Sequence, residues 1–421
     1  MESLEGFVLT LLTQLVIIIV AAQVGGWLFR FWGQPKVVGE ILAGLILGPS
    51  CLGMFFPDLL DNIFPASGDL QLRVLGQIGL VLLMFEVGLA FDFSHLTSVR
   101  GTSIAVASAG ILLPFSLGML LAYLMAPAVA SDVDTLPFAL FVATAMSITA
   151  IPILGRIMID LQMETTPIGV LTISAAAIDD AIGWIVLAVI SGIVTGGFVV
   201  SSTLWQLGYL TIFITASFLI IRPLADRFAS RMPWSDPDRA PTMMAVLITG
   251  VFGFAIITNM IGVFSVFGPF VLGACLSHRT EIASFYRRAA SPLVTAFLLP
   301  VFFTFTGLRT DIGSLDLSGW LWCLAIFLVA CAGKLVGCGL ATKLAGYSWQ
   351  DSTVVALMMN TRALMGLVAI NVGRDLGAIP DSVFSMLVVM AIGTTIMTVP
   401  LLKLVGVKRS TNETELQCES L

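Results

Sequence analysis

Apolar residues run through this chain in long stretches, parted by short clusters of charged residues and by turns rich in Gly, Pro and Asp. A helix needs roughly 20 apolar residues to cross the hydrocarbon core of a bilayer, where no water satisfies an open backbone. Cutting at the charge clusters and turns gives 13 apolar segments, at 8–29, 37–51, 73–91, 101–125, 136–157, 166–194, 205–224, 241–258, 262–277, 291–308, 318–342, 352–373 and 382–402. The pattern predicts an all-α, polytopic membrane protein with 13 transmembrane helices. An odd number of crossings sets its two ends on opposite faces.

Composition narrows the class further. The 421 residues are 58% hydrophobic and 11% charged, against about 25% charged in soluble domains, which excludes a soluble enzyme or a nucleic-acid binder. The net charge of −6 matters less than where Lys and Arg fall, because these bias loops towards the cytoplasm. With the N-terminus outside, the cytoplasmic loops hold clusters such as Arg222, Arg227, Arg231 and Arg239, or Arg279, Arg287 and Arg288. The outer loops then hold only Arg73, Arg309 and Arg374. The first span has no basic region before it and no small-residue cleavage site, so it is expected to be retained. No extended soluble domain is expected, only a short cytoplasmic tail at 404–421. The 6 cysteines form no CxxC pair or metal-ligand spacing and read as small packing residues.

The second half repeats the first. VVGEILAG (Gly39, Gly44) is echoed by VFGPFVLG (Gly268, Gly273), GLAFD (Gly88 to Asp92) by GLRTD (Gly307 to Asp311), and GRIMIDL (from Gly155) by GRDLG (from Gly373). The echoes come in order, each roughly 220–230 residues on, and together indicate an internal duplication. The partners lie seven helices apart, so the reading is of two six-helix repeats of inverted topology. In that architecture broken helices from the two halves cross near the membrane midplane.

An ionisable residue inside a membrane costs about 2.5–3.5 kcal/mol on insertion scales and is a functional hypothesis by default. Four stand out: Asp179 and Asp180 in SAAAIDDAIGWIVLA, Lys334, and Arg362. Consecutive helical residues point about 100° apart, so one aspartate can face a cation cavity and the other a neighbouring helix. Two close carboxylates in a low dielectric do not both ionise readily. They titrate as a coupled unit able to hold a proton or a hard cation. Lys334, mid-helix, is the natural partner of Asp179, the alternative being a lysine that snorkels to the interface. The bland reading of the aspartates is a pair neutralised permanently by Lys334 and Arg362. A hydroxyl-rich stretch ending at Pro152 predicts a helix break around Ser147 and Thr149, although ordinary interhelical hydrogen bonds account for these hydroxyls equally well. A second break at Asn360 and Thr361 is expected opposite it. Arg362 is expected to neutralise helix-end dipoles there, and to reach Glu86. Glu40 and Glu86 are secondary candidates, and His95 and His278 fall in expected cytoplasmic loops.

Taken in order, KVVGEILAGLILGPS, GLVLLMFEVGLAFD, SAAAIDDAIGW, FGPFVLGACLSH, FTGLRTD, KLVG and NTRALMGLVAINVGRDLG resemble the second cation:proton antiporter family, that of the Kef-type and Nap-type exchangers and plant cation/H⁺ exchangers. Ala90 departs from an acid common in that family, and Ala363 from a glycine. The resemblance implies a homodimer. It implies a dimer scaffold at 1–91 and 241–308, a linker helix at 205–228, and a moving ion-translocating core at 101–195 and 318–403. It implies Asp180 as the essential ion carboxylate, holding Na⁺ or K⁺ in exchange for H⁺, with Asp179 as its neighbour paired to Lys334. Kef-type ligand gating is not expected. No cofactor, enzyme activity or nucleic-acid partner is expected, and the expected home is an inner (plasma) membrane. The alternatives are a K⁺ efflux pathway or uniporter, and a proton-coupled transporter of an organic cation.

Overall fold

The computed structural model describes residues 4–65, 69–90, 100–161, 163, 166–196, 200–229, 234 and 236–406. Asp92, His95, and the tail from residue 407 with Cys418 lie outside them. Every regular element among the described residues is helical. The first half runs α1 (Leu4–Phe31), α2 (Lys36–Leu47), α3 (Pro57–Ile63), α4 (Asp69–Leu89), α5 (Arg100–Val129), α6 (Thr135–Ser147), α7 (Ile151–Asp160) and α8 (Pro167–Gly196). It continues through α9 (Val200–Ala216) and α10 (Arg222–Ala229) into α11 (Ala240–Met260), α12 (Phe267–Leu276), α13 (Thr280–Ala289) and α14 (Ser291–Leu293). The chain closes with α15 (Leu299–Leu308), α16 (Leu317–Leu344), α17 (Trp349–Met359), α18 (Ala363–Asp375) and α19 (Asp381–Leu404). Among the described residues, 10 helices are long and apolar enough to span a membrane. The other expected crossings fall on the short apolar helix α12 and on two interrupted pairs, α6 with α7 and α17 with α18.

Several hydroxyl side chains in this apolar interior fold back onto their own helix. Thr172 donates to the Ile168 carbonyl, Thr306 to Phe302 and Thr342 to Cys338, each at 2.7–2.9 Å and each four residues back. Such a bond satisfies the hydroxyl without recruiting a partner helix. Helix starts at the ends of the bundle are capped in the usual way. Asp316 accepts the Gly319 N–H at 2.7 Å ahead of α16, and Ser348 the Asp351 N–H at 3.0 Å ahead of α17.

The duplication read from the motifs reappears as two equivalent helix crossings. A Cβ on Gly44 of α2 would collide with the backbone of Thr304 in α15, and one on Gly307 of α15 with the Ile41 carbonyl of α2. Likewise a Cβ on Gly273 of α12 would strike the Phe85 carbonyl of α4, and one on Gly88 of α4 the Phe270 carbonyl of α12. Small residues let helices approach where lipid offers no hydrophobic drive between them. Gly307→Val is therefore expected to lower stability by about 1–3 kcal/mol, the usual cost of overpacking. A control at Gly253, which faces open space, should leave the melting temperature of the purified protein unchanged; equal losses at both positions would refute the close-approach account.

A network of charges closes one end of the bundle. Asp375, at the end of α18, accepts from Arg309 at 3.0 Å and pairs with Arg73 of α4 at 3.2 Å. Arg374 donates to the Arg309 carbonyl at 3.0 Å and pairs with Asp381 at 2.7 Å. Arg73, Arg309 and Arg374, the basic residues assigned to the outer loops, thus share one end of the molecule.

Candidate functional site

The site begins with two interrupted helices. Helix α6 stops at Ser147, Ile148 continues in extended backbone (φ −74°, ψ 142°), and α7 starts at Ile151, just ahead of Pro152. A proline tolerates the first turn of a helix and not its interior, so the break falls where the sequence leads one to look. The second break, Asn360 to Arg362 between α17 and α18, carries no proline. It is held instead by the first: the Ala150 N–H donates to the Thr361 carbonyl at 2.8 Å, and the Thr149 hydroxyl to the Met359 carbonyl at 2.8 Å. Backbone groups released by each break are thereby satisfied by the other, as an apolar medium demands. Four helix ends meet at this crossing, the partly negative C-terminal ends of α6 and α17 and the partly positive N-terminal ends of α7 and α18.

Asp179 and Asp180 lie on α8 beside the crossing, with Asp179 against Thr149. Lys334 reaches from α16 and donates to Asp179 Oδ2 at 2.8 Å, and all three residues are 0% exposed. This is an ion pair inside the core, so the snorkelling alternative does not hold for Lys334. Room for it comes from α5, where a Cβ on Gly110 would lie 3.6 Å from Lys334 Nζ and 2.6 Å from Cys338 Sγ. Asp180, turned away by one helical step, has no such partner. Neither of its carboxylate oxygens, nor Asp179 Oδ1, makes a hydrogen bond to a protein atom. A buried carboxylate with unfilled acceptor sites calls for a proton or a cation.

Other expectations come out differently. Arg362 does not reach Glu86: its Nη2 donates to the Ala330 carbonyl of α16 at 2.7 Å and its Nη1 points at Met390 Sδ, 3.8 Å away. Glu86 accepts instead from the Ser291 hydroxyl at 2.9 Å. The correction has a simple cause, since Arg362 occupies the second break and α16 and α19 pack against that break, whereas Glu86 belongs to α4. Glu40 is buried and pairs with Lys36 of its own helix at 3.0 Å. His278 meets Asp226 of α10 at 2.7 Å, alongside Arg279 at the same distance. Within the crossing, the Ser147 and Thr361 hydroxyls turn onto the Thr144 and Met358 carbonyls of their own chain segments. The Asn360 amide packs on sulfur, 3.6 Å from Cys331 Sγ and 4.0 Å from Met397 Sδ. Thr149 and the Thr361 carbonyl therefore bridge the two breaks.

Sequence reasoning missed three residues around the aspartates and Arg362: Gly110, Ala330 with its carbonyl, and Trp184. Only Trp184 left a signal, because it follows Asp180 by four residues and so shares its helix face.

Similarity to known proteins agrees with this geometry. Residues 18–405 match the family described as the sodium/hydrogen exchanger, transmembrane. The chain is 34% identical over 400 residues to the Na⁺/H⁺ antiporter NhaS4 of Synechocystis sp., covering 93% of this chain and 96% of that protein. It is 33% identical over 406 residues to cation/H⁺ antiporter 19 of Arabidopsis thaliana, covering 96% of this chain but only 50% of that protein, so it spans about half the length of that relative. In fold it resembles the sodium proton antiporter MjNhaP1 of Methanocaldococcus jannaschii, with a TM-score of 0.72 at 16% identity over 96% of this chain and 99% of the other. Crossed broken helices, a buried aspartate pair and a match along nearly the whole chain lead to one assignment: it belongs to the sodium/hydrogen exchanger family of monovalent cation:proton antiporters.

Proposed function

We propose that the chain exchanges a monovalent cation, Na⁺ or K⁺, for protons by alternating access, with cation and proton competing for the Asp179/Asp180 pair and Asp180 as the principal ion ligand. The observation that carries this reading is the asymmetry of the pair. Asp179 is neutralised by Lys334 at 2.8 Å, while both Asp180 oxygens are buried and open to an ion. A hard cation takes oxygen ligands, and the crossing supplies backbone carbonyls as well as the carboxylate. When a cation draws on the pair, Asp179 loosens its hold on Lys334, whose ammonium then has a proton to give up. Two protons moved per cation would carry one net charge per cycle, worth about 2.3 kcal/mol per 100 mV.

The moving unit in this reading is the core at 101–195 and 318–403, sliding against a scaffold at 1–91 and 241–308 that pairs with a second copy, with 205–228 as the linker. The N-terminus lies outside and the C-terminus inside a plasma membrane. Asp375 of the core, held by Arg73 of the scaffold and by Arg309 directly after it, must let go in each cycle. Asp375→Asn is expected to raise turnover by up to about fivefold, the scale of a partly exposed ion pair, with the cation KM unchanged. A lowered turnover would show that these pairs do not oppose the motion.

The test of function is the pH inside liposomes holding the purified protein, followed by a fluorescent dye while Na⁺ or K⁺ is added outside. A response to one ion that Asp180→Asn abolishes supports exchange through this carboxylate and names the cation. No response to either ion from folded protein would reject the reading.

A further inference from the structure

Trp184 is the largest fully buried side chain among the described residues, and it lies one turn beyond Asp180 on α8. Residues four apart on a helix are neighbours. The indole interacts with the Asp180 carboxylate, yet Trp184 Nε1 makes no hydrogen bond of good geometry, and neither does Asp180 Oδ1 or Oδ2. A buried indole N–H, which can only donate, normally finds an acceptor. Here the carboxylate one turn back on its own face has its sites unfilled. The facing charges are few: Asp179 beside Asp180, Lys334 bonded to Asp179 from α16, and Arg362 bonded to Ala330 at the second break. Each of the two basic groups is committed to another acceptor.

We infer that Trp184 is a positioning residue for the transported cation: its indole N–H closes onto one Asp180 oxygen and aims the other oxygen at the helix crossing. This rests on the exchange reading above and adds to it a side chain that ranks cation-bound against empty states. An N–H bond to an ionised carboxylate is a charge-assisted bond. It holds the carboxylate in one orientation for the cation without contributing a ligand itself.

The experiment compares wild type, Trp184→Phe and Trp184→Tyr in the same dye-loaded liposomes. Trp184→Phe keeps an aromatic ring and loses the donor, and is expected to raise the cation KM about tenfold, the scale of one hydrogen bond to a charged group, with kcat within about twofold of wild type. Trp184→Tyr restores a donor on a ring and is expected to recover part of that affinity. An unchanged KM in Trp184→Phe, or a fall in kcat alone, as loosened packing would give, overturns the inference. Should neither variant fold, wild-type tryptophan emission decides: adding the transported cation is expected to shift it, and Asp180→Asn to remove the shift. Absence of that shift in a protein that still exchanges protons overturns the inference and leaves the exchange reading standing, whereas loss of exchange in wild type counts against that reading.

Discussion

Asp180→Asn is expected to reduce cation-driven proton movement at least about 100-fold, equivalent to about 2.8 kcal/mol, while the protein folds and inserts as wild type does. Asparagine matches aspartate in shape, so the packing of α8 beside the crossing is kept. It removes the negative charge, and the proton site with it. The lost charge matters more here than on a surface because Asp180 is fully buried and the neighbouring Asp179 is already bound to Lys334 at 2.8 Å. Solvent does not screen such a site, and effective Coulomb interactions rise as the local dielectric falls. Asp180→Glu keeps the charge but lengthens the arm, so it should retain measurable exchange with an altered KM. Wild-type rates in Asp180→Asn would move the ion site elsewhere, with Asp179 the first position to examine.

Loss of the Lys334 ammonium should be felt in stability as well as transport. Removing one partner of a buried ion pair leaves an uncompensated charge and typically costs about 3–5 kcal/mol. Lys334→Met is expected to destabilise the protein on that scale near neutral pH. The penalty should shrink at acid pH, where Asp179 can take a proton in place of the lost partner. The sign follows from linkage: without the ammonium the folded state holds a proton that the unfolded carboxylate has already released, so stability falls as pH rises. Thermal unfolding in detergent across pH reads this directly. The double variant Asp179→Asn with Lys334→Met should regain most of the loss, since neither member of the pair is then left charged without its partner, and a double-mutant cycle isolates the pairwise interaction. If the single and double variants prove equally unstable, Lys334 matters for its packing against Gly110 and Cys338 and not for its charge.

Several features of the site were legible in the chain because their causes are local. A break near Pro152 follows from one ring that a helix interior does not accept, and the hydroxyls before it mark the same place. Asp179 and Asp180 declare themselves by cost, because a charge in an apolar helix is not kept without a use. Lys334 could be named as a partner since it stands in a third apolar helix with nothing nearby in sequence to answer its charge. The second break follows only from the analogy between the two halves, and the expected reach of Arg362 to Glu86 does not hold. Sequence shows that an arginine must find acceptors. It does not show that an α16 carbonyl lies 2.7 Å away while Glu86 is engaged by Ser291.

By itself, then, the sequence determined the helical class, the approximate spans, the duplication and the charged residues that the membrane makes expensive, because each depends on hydropathy, periodicity or the price of one buried group. The tertiary structure decided which of two adjacent aspartates is paired and which is open, how two breaks satisfy each other through Thr149 and Ala150, and why glycines 44, 88, 273 and 307 recur. Those outcomes depend on the angle and distance at which helices far apart in the chain meet. A difference of one helical step, about 100°, separates a carboxylate locked to an ammonium from one open to an ion, and only the packed neighbours choose between them.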